Sequence, residues 1–152
     1  MEDILSFVRA TLEDVPRIEA LVKAAYSPYV ERIGAEPAPM TANYAAVVQS
    51  QGVVLAYDGA RLLGVLVTEP HPNYLLIENV AVAPQAQGMG IGGRLLDHAE
   101  MEAKDLGLPK LRLYTNAKMT ENLGYYYRRG YREVDRRNED GFDRVYFSRS
   151  IV

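Results

Sequence analysis

Pro84-Gln85-Ala86-Gln87-Gly88-Met89-Gly90-Ile91-Gly92-Gly93 is the stretch that decides the fold of this chain. Four of the 12 glycines fall within the six positions from Gly88 to Gly93. An apolar run over residues 74–82 precedes them and reads as a strand, and residues 90–106 carry a helical pattern. Glycine inside a helix costs about 1 kcal/mol relative to alanine, so this density needs a cause. One cause is close approach of backbone to a ligand: a strand entering a helix N-terminus with its N–H groups facing outward makes an anion site suited to a pyrophosphate. The other is close packing of helix on sheet. Gly88, Gly90 and Gly93 also fit a loose GxGxxG pattern. However, it begins past mid-chain, and too little sequence follows to build a dinucleotide-binding sheet. No GxxxxGK[ST] phosphate loop is present.

Outward from this turn, short strands alternate with helical stretches. Residues 5–10 read as a first strand. Thr11, Asp14 and Pro16 then mark a helix start, with Val15, Ile18, Val22 and Ala25 at helical spacing. That helix is expected to stop before Pro28, with residues 27–41 a loop broken by a helical turn and residues 42–50 a short helix. Strands over 53–57 and 62–67 flank Asp58-Gly59, a hairpin signal. On the far side, Leu95, Leu96, Ala99, Ala103 and Leu106 line one side of the 90–106 helix, and Gly107 sits at its C-cap. A strand at 111–115 and a short helix at 119–129, closed by Gly130, follow. The chain ends in a hairpin of 131–136 and 144–148 around Asn138, Asp140 and Gly141. The order β-α-(α)-β-β-β-α-β-α-β-β predicts an α/β fold with a mixed sheet, formed by a single domain over residues 1–152.

Composition narrows the chemistry. The 152 residues include no cysteine and no tryptophan, with 11 tyrosines against 3 phenylalanines. A thiolate nucleophile, a disulfide scaffold and a Cys-ligated metal are thereby excluded. With His71 and His98 the only two histidines, no metal site is expected. The net charge of −3 argues against a nucleic-acid partner, whose binding rests on phosphate neutralisation. No apolar run approaches the roughly 20 residues of a membrane helix. The N-terminus, with Glu2 and Asp3, lacks a signal-peptide pattern. A cytoplasmic protein with no membrane partner is the expectation.

Gln85-x-x-Gly88-x-Gly90, following Ile77-Glu78-Asn79-Val80-Ala81-Val82, resembles the acetyl-coenzyme A signature of the GNAT superfamily of N-acetyltransferases. Leu111-Arg112-Leu113-Tyr114-Thr115-Asn116, then Met119 to Leu123, then Tyr126-x-x-x-Gly130-Tyr131, is similar to that family's later strand, helix and tyrosine segment. The resemblance covers residues 4–148. It implies a GNAT fold, a mixed sheet of six to seven strands flanked by about four helices. It also implies acetyl transfer from acetyl-coenzyme A to a primary amine, on a small molecule or a peptide, and a homodimer is common among similar proteins. By the same resemblance the loop from Gln85 and Gln87 through Gly88, Met89, Gly90, Ile91 and Gly92 holds the pyrophosphate, and the backbone at Val80 and Val82 pairs with the pantetheine arm. Where the family often has an asparagine seven residues before the tyrosine, this chain has Met119; Asn116 and Asn122 are the nearby cofactor-side candidates.

Amide formation from a thioester needs a neutral amine, a place for its proton and a donor for the departing sulfur. Glu78 interrupts an apolar run where a buried charge is costly. Strand alternation puts it on the face of Leu76, Val80 and Val82. It is the candidate base, the alternative being a salt-bridged structural glutamate. Tyr126 matches the family tyrosine near the coenzyme sulfur and is the candidate acid, the alternative being an aromatic packing stripe. The resemblance implies an acceptor side at Tyr26, Tyr29, Arg32, Met40, Tyr44, His71 and Asn73, with the forked donors of Arg32 suited to a substrate carboxylate. His98 is expected to be solvated. Two other readings remain at this stage: a coenzyme-binding sensor with little turnover, and transfer of a larger acyl group.

Overall fold

The structure, a computed structural model, describes residues 5–151. Its elements are β1 (Leu5–Arg9), α1 (Val15–Ile33), α2 (Ala38–Thr41), α3 (Tyr44–Ser50), β2 (Gly52–Asp58), β3 (Arg61–Pro70), β4 (Leu75–Val82), α4 (Ile91–Asp105), β5 (Lys110–Asn116), α5 (Thr120–Arg128), β6 (Arg132–Glu139) and β7 (Phe142–Ser150). The strands form one seven-stranded mixed sheet in the order β1-β2-β3-β4-β5-β7-β6. This is the expected sheet; α3 is the short helix expected over 42–50, and α2 is the helical turn expected within residues 27–41.

Every strand pair is antiparallel except β4 with β5. That parallel pair joins only Leu75 to Leu111, Leu76 to Arg112 and Ile77 to Leu113. Beyond Ile77 the two strands part, leaving the β4 edge from Glu78 to Val82 without a β5 partner. On its other side β4 carries a bulge: Val67 pairs with Asn79 and Thr68 with Ile77, so Glu78 is the extra residue. Bulges re-aim side chains and recur next to active sites.

Helix α4 packs on the sheet through Ile91, Leu95, Leu96, Ala99 and Ala103. Its seat is Gly64 in mid-strand β3, where an added Cβ would lie 2.8 Å from Leu95 Cδ1 and 3.0 Å from Ile91 Cγ2. A side chain there would force the Leu95 and Ile91 side chains out of their seat on the sheet. Leu106, expected on the buried side, is 51% exposed. The helix ends at Asp105, and the left-handed Gly107 (φ 73°) turns the chain before another apolar contact forms.

Helix α1 does not stop before Pro28. It continues to Ile33 and ends at Gly34 (φ 86°), whose N–H donates to the Val30 carbonyl. A proline in a helix removes one N–H and crowds the preceding turn. Here Ser27 Oγ donates to the Lys23 carbonyl at 2.6 Å beside it, and Ile18, Leu21, Val22 and Ala25 bury the helix against the sheet. Packing outweighs the local preference. The first hairpin turns on Gly59-Ala60, because Asp58 still pairs with Arg61. The last turns on Asp140-Gly141, both with positive φ (54° and 82°), as a type I′ turn requires.

Ahead of α1 the buried Asp14 carboxylate accepts the Thr11 amide at 2.8 Å, Arg17 Nη2 at 2.7 Å and the Tyr57 hydroxyl at 2.8 Å. Burial opposes its charge, yet those donors outweigh burial and hold its pKa down to about 2. A depressed carboxylate pKa contributes stability above the unfolded value near 4, lost as pH falls through the folded value. Asp14→Asn should therefore cost about 2 kcal/mol at pH 7. Thermal melts should show a Tm several degrees lower at pH 7 and a gap that narrows from pH 4 toward pH 2; a constant gap would place the effect in packing.

Candidate active site

The glycine-rich turn owes its composition to backbone hand. Gly88 (φ 86°) and Gly90 (φ 80°) are left-handed, and a Cβ added at either meets nothing within 4 Å. Close packing therefore does not explain these two; Gly64 fills that role. Gly90 caps α4, whose first helical bond runs from the Arg94 amide to the Gly90 carbonyl at 3.2 Å. The N–H groups of Gly90, Ile91, Gly92 and Gly93 precede that bond and have no carbonyl within the helix. The Gln87 and Met89 amides instead turn back onto the Pro84 and Ala86 carbonyls at 3.4 and 3.3 Å. The Gln87 amide, expected among the pyrophosphate donors, is thus hydrogen-bonded within the turn, while the amides of Gly90–Gly93 have no intrahelical carbonyl.

Where β4 and β5 part, two cavities open. The larger, about 460 Å³, is lined by Val80, Val82, Gln87, Gly88, Gly90, Ile91 and Gly92, facing Tyr26, Tyr29, Asn122, Tyr125 and Tyr126. The smaller, about 70 Å³, is lined by Glu78, Asn79, Tyr114, Asn116, Phe142 and Arg144 among others. Tyr26, Val80, Met119, Asn122 and Tyr126 border both. The junction therefore puts Tyr126 and the β4 backbone between a glycine-lined cleft and the Glu78 pocket.

Glu78 is half-buried, and its Oε2 is enclosed without a hydrogen-bond partner. Burial raises its pKa, and the Glu69 charge adds to the rise, while the Gln51 amide and His71 oppose it. A carboxylate raised this way, with an unfilled acceptor position, is suited to taking a proton. Next to it Asn79, 7% exposed, is fixed from both ends: Tyr26 OH donates to Oδ1 at 2.7 Å, and Nδ2 donates to Tyr44 OH at 3.2 Å. Tyr44 in turn donates to the Pro39 carbonyl at 2.5 Å. This chain ties α1 and the α2–α3 region to β4 and holds its outward-splayed edge in place.

Tyr126 is buried among Tyr125, Tyr131 and Phe147. Burial pushes its phenol pKa up; the Tyr131 and Tyr125 phenols add to the rise and the Arg129 guanidinium opposes it. The hydroxyl therefore stays protonated at any working pH and acts as a hydrogen-bond donor.

The structure redistributes several expected residues. Tyr29, assigned to the acceptor, lines the larger cleft, because α1 continues past Pro28, whereas Tyr26, on the part of the helix that was expected, borders both cavities. Gln85 and Met89 lie outside both cavity linings, Met89 being 63% exposed. Asn122 borders both cavities and donates to Thr115 Oγ1 at 3.4 Å, whereas Asn116 borders only the smaller and caps the Lys118 amide at 2.9 Å. Arg32, Met40, His71 and Asn73 line neither cavity. Arg32, expected to suit a substrate carboxylate, is paired with Glu121 at 2.6 Å and lies over the Tyr29 ring. His71 stacks on Tyr74 and pairs with Glu69 at 2.8 Å. Tyr44 is a buried support. His98 is exposed as expected, lying against Phe7. Sequence reasoning missed Tyr125, Tyr114 and Arg144. The alternation of Arg144 and Tyr146 with the buried Val145 and Phe147 was the available signal for Arg144.

The profile of the Acetyltransferase (GNAT) family matches residues 18–131. Among curated proteins, a mycothiol acetyltransferase of Pseudarthrobacter chlorophenolicus is 37% identical over 91 residues, which is 55% of this chain and 28% of that protein. The chain thus spans little more than a quarter of that relative's length. Among solved structures, the IAA acetyltransferase of Bacillus cereus superposes with a TM-score of 0.72 at 26% identity, covering 97% of this chain and 99% of that one. A GNAT family acetyltransferase of Elizabethkingia anophelis with acetyl-CoA bound gives 0.74 at 25% identity, covering 99% and 100%.

Proposed function

The chain belongs to the acetyltransferase (GNAT) family, and we propose that it moves an acetyl group from acetyl-coenzyme A to a primary amine by direct attack in a ternary complex. One observation carries the reading: the glycine-lined cleft at the α4 N-terminus meets the Glu78 pocket at Tyr126 and the unpaired β4 edge. The bound coenzyme supplies a thioester carbonyl as the electrophile. The residues around it position and move protons.

Amides of Gly88 and Gly90–Gly93, at the positive end of α4, suit a pyrophosphate. The β4 edge past Ile77 has no β5 partner, its Val80 and Val82 carbonyls taking only long side-chain contacts from Tyr26 (3.4 Å) and Gln87 (3.5 Å), which suits an extended arm such as pantetheine. An amine arriving in the smaller pocket as an ammonium ion loses its proton to Glu78, directly or through one water, and the neutral nitrogen attacks. Tyr126 donates a hydrogen bond to the departing sulfur. A thiol titrates near 8.5 and a phenol near 10, and burial lifts this phenol further. Handing its proton over outright would be uphill, so the proton that finally reaches sulfur is the second one, lost by the nitrogen as the tetrahedral adduct collapses, while the first passes from Glu78 to solvent. With no cysteine in the sequence, the acetyl group has no protein thiol to rest on.

The test has two stages. Acetyl-coenzyme A should bind in a calorimeter and raise the Tm; no binding of it or of other acyl-coenzyme A esters would sink the reading. An amine panel followed by free-thiol release should then show turnover, whereas binding without thiol release from any amine would mark a sensor.

A further inference from the structure

Resting on that acetyl-transfer reading, we propose that the acceptor is an amino carboxylate, its amine held at Glu78 and its carboxylate at Arg144. The smaller cavity carries both charges on its wall, one from β4 and one from β7. Tyr114 of β5 lies between them. The Arg144 guanidinium carbon sits 4.7 Å from the centre of its ring, and the phenol, raised by burial, is lowered by Arg144 and raised by the Glu78 charge.

Sheet register explains why the three converge. Ile77 and Leu113 are the last β4–β5 pair, Glu78 and Tyr114 follow where the strands part and share the cavity wall, and Arg144 pairs with Asn116 two residues further along β5. Two ladder spacings amount to about 10 Å, and the parting of β4 from β5 at Glu78 opens the cavity of about 70 Å³ that lies between the two side chains.

Arg144 is built as a receptor. Its side chain is 14% exposed and flanked by the Tyr114 and Phe142 rings at 4.7 and 5.7 Å. The carboxylate that reaches it is Glu139, at 3.6 Å from Nη1, and the same Glu139 oxygen accepts the Tyr146 hydroxyl. A guanidinium has five N–H donors in a fork matched to a carboxylate. One long contact leaves most of that fork for a ligand. A simple alkylamine would leave Arg144 on the wall of a largely apolar pocket without a substrate partner, whereas a zwitterion satisfies both ends. A missing partner of this kind produces strong discrimination between substrates.

The experiment pairs each amino acid with its decarboxylated amine, alanine with ethylamine and leucine with isopentylamine, under saturating acetyl-coenzyme A. The amino acid of at least one pair should show the higher kcat/KM. In Arg144→Gln the ratio of amino acid to amine should fall at least about 10-fold, mostly through KM, and Arg144→Lys should keep an intermediate ratio. Acetyl-coenzyme A titration of each variant checks that its donor cleft is intact. Amines that turn over as well as their amino acids, or a ratio indifferent to Arg144, would overturn the acceptor assignment while leaving acetyl transfer standing. Bound acetyl-coenzyme A with no turnover of either class would overturn both.

Discussion

Glu78→Gln should lower kcat/KM at neutral pH by about 10²–10⁴-fold, the usual range for removing a positioned general base, with little change in acetyl-coenzyme A affinity. The pH profile separates this from a packing defect. In the parent enzyme the rate should rise with pH through an inflection above the ordinary carboxylate range, because burial and Glu69 lift the Glu78 pKa while Gln51 and His71 only partly oppose them. In the variant that inflection disappears, and the rate follows the free-amine fraction alone. The deficit should shrink as pH approaches the pKa of the amine.

Stability should move the other way. A carboxylate whose folded pKa is raised contributes stability below its unfolded pKa and loses it as pH rises through the folded one. At neutral pH the buried, unpartnered Oε2 is a liability. Glutamine removes the charge at nearly the same volume, so the variant should melt no lower than the parent at pH 7. A profile that keeps its acid inflection would remove Glu78 as the base.

What could be read in the amino-acid order follows from how local each feature is. The turn at Gly88–Gly93 was legible because left-handed glycines and an exposed helix start are properties of consecutive residues. Glu78 was legible because a charge in an apolar strand is anomalous by itself. The bulge that re-aims Glu78 was not, since it exists only in the offset between β3 and β4. Pro28 misled for the same reason: its local penalty is real, but burial of α1 on the sheet decides the outcome. That longer helix then carries Tyr29 into the glycine-lined cleft. Arg144 becomes part of the site only through the pairing of β7 with β5, far apart in the chain. The acceptor side is where long-range register matters most, and it is where sequence reasoning placed Arg32 instead.

Gly92→Asp should give the second large effect, with binding and stability moving in opposite directions. Gly92 is the second residue of α4 and its φ is not left-handed. A Cβ there would meet Val82 Cγ2 at 3.6 Å and Tyr125 OH at 3.7 Å, ordinary contacts. An acid in the first turn favours the helix dipole by about 0.3–1 kcal/mol, so Tm should hold or rise. The same carboxylate would occupy the amides meant for a pyrophosphate and repel its charge. Two like charges about 5 Å apart at an effective dielectric near 20 repel by about 3 kcal/mol, on the order of 100-fold in acetyl-coenzyme A affinity. Gly92→Asn supplies the neutral control, with the same shape but without the repulsion. Calorimetric Kd values should therefore rank parent, then asparagine, then aspartate, with the wide gap between the last two. Equal losses for Asn and Asp would make the effect steric, and full affinity in Gly92→Asp would mean that the α4 N-terminus does not receive the pyrophosphate.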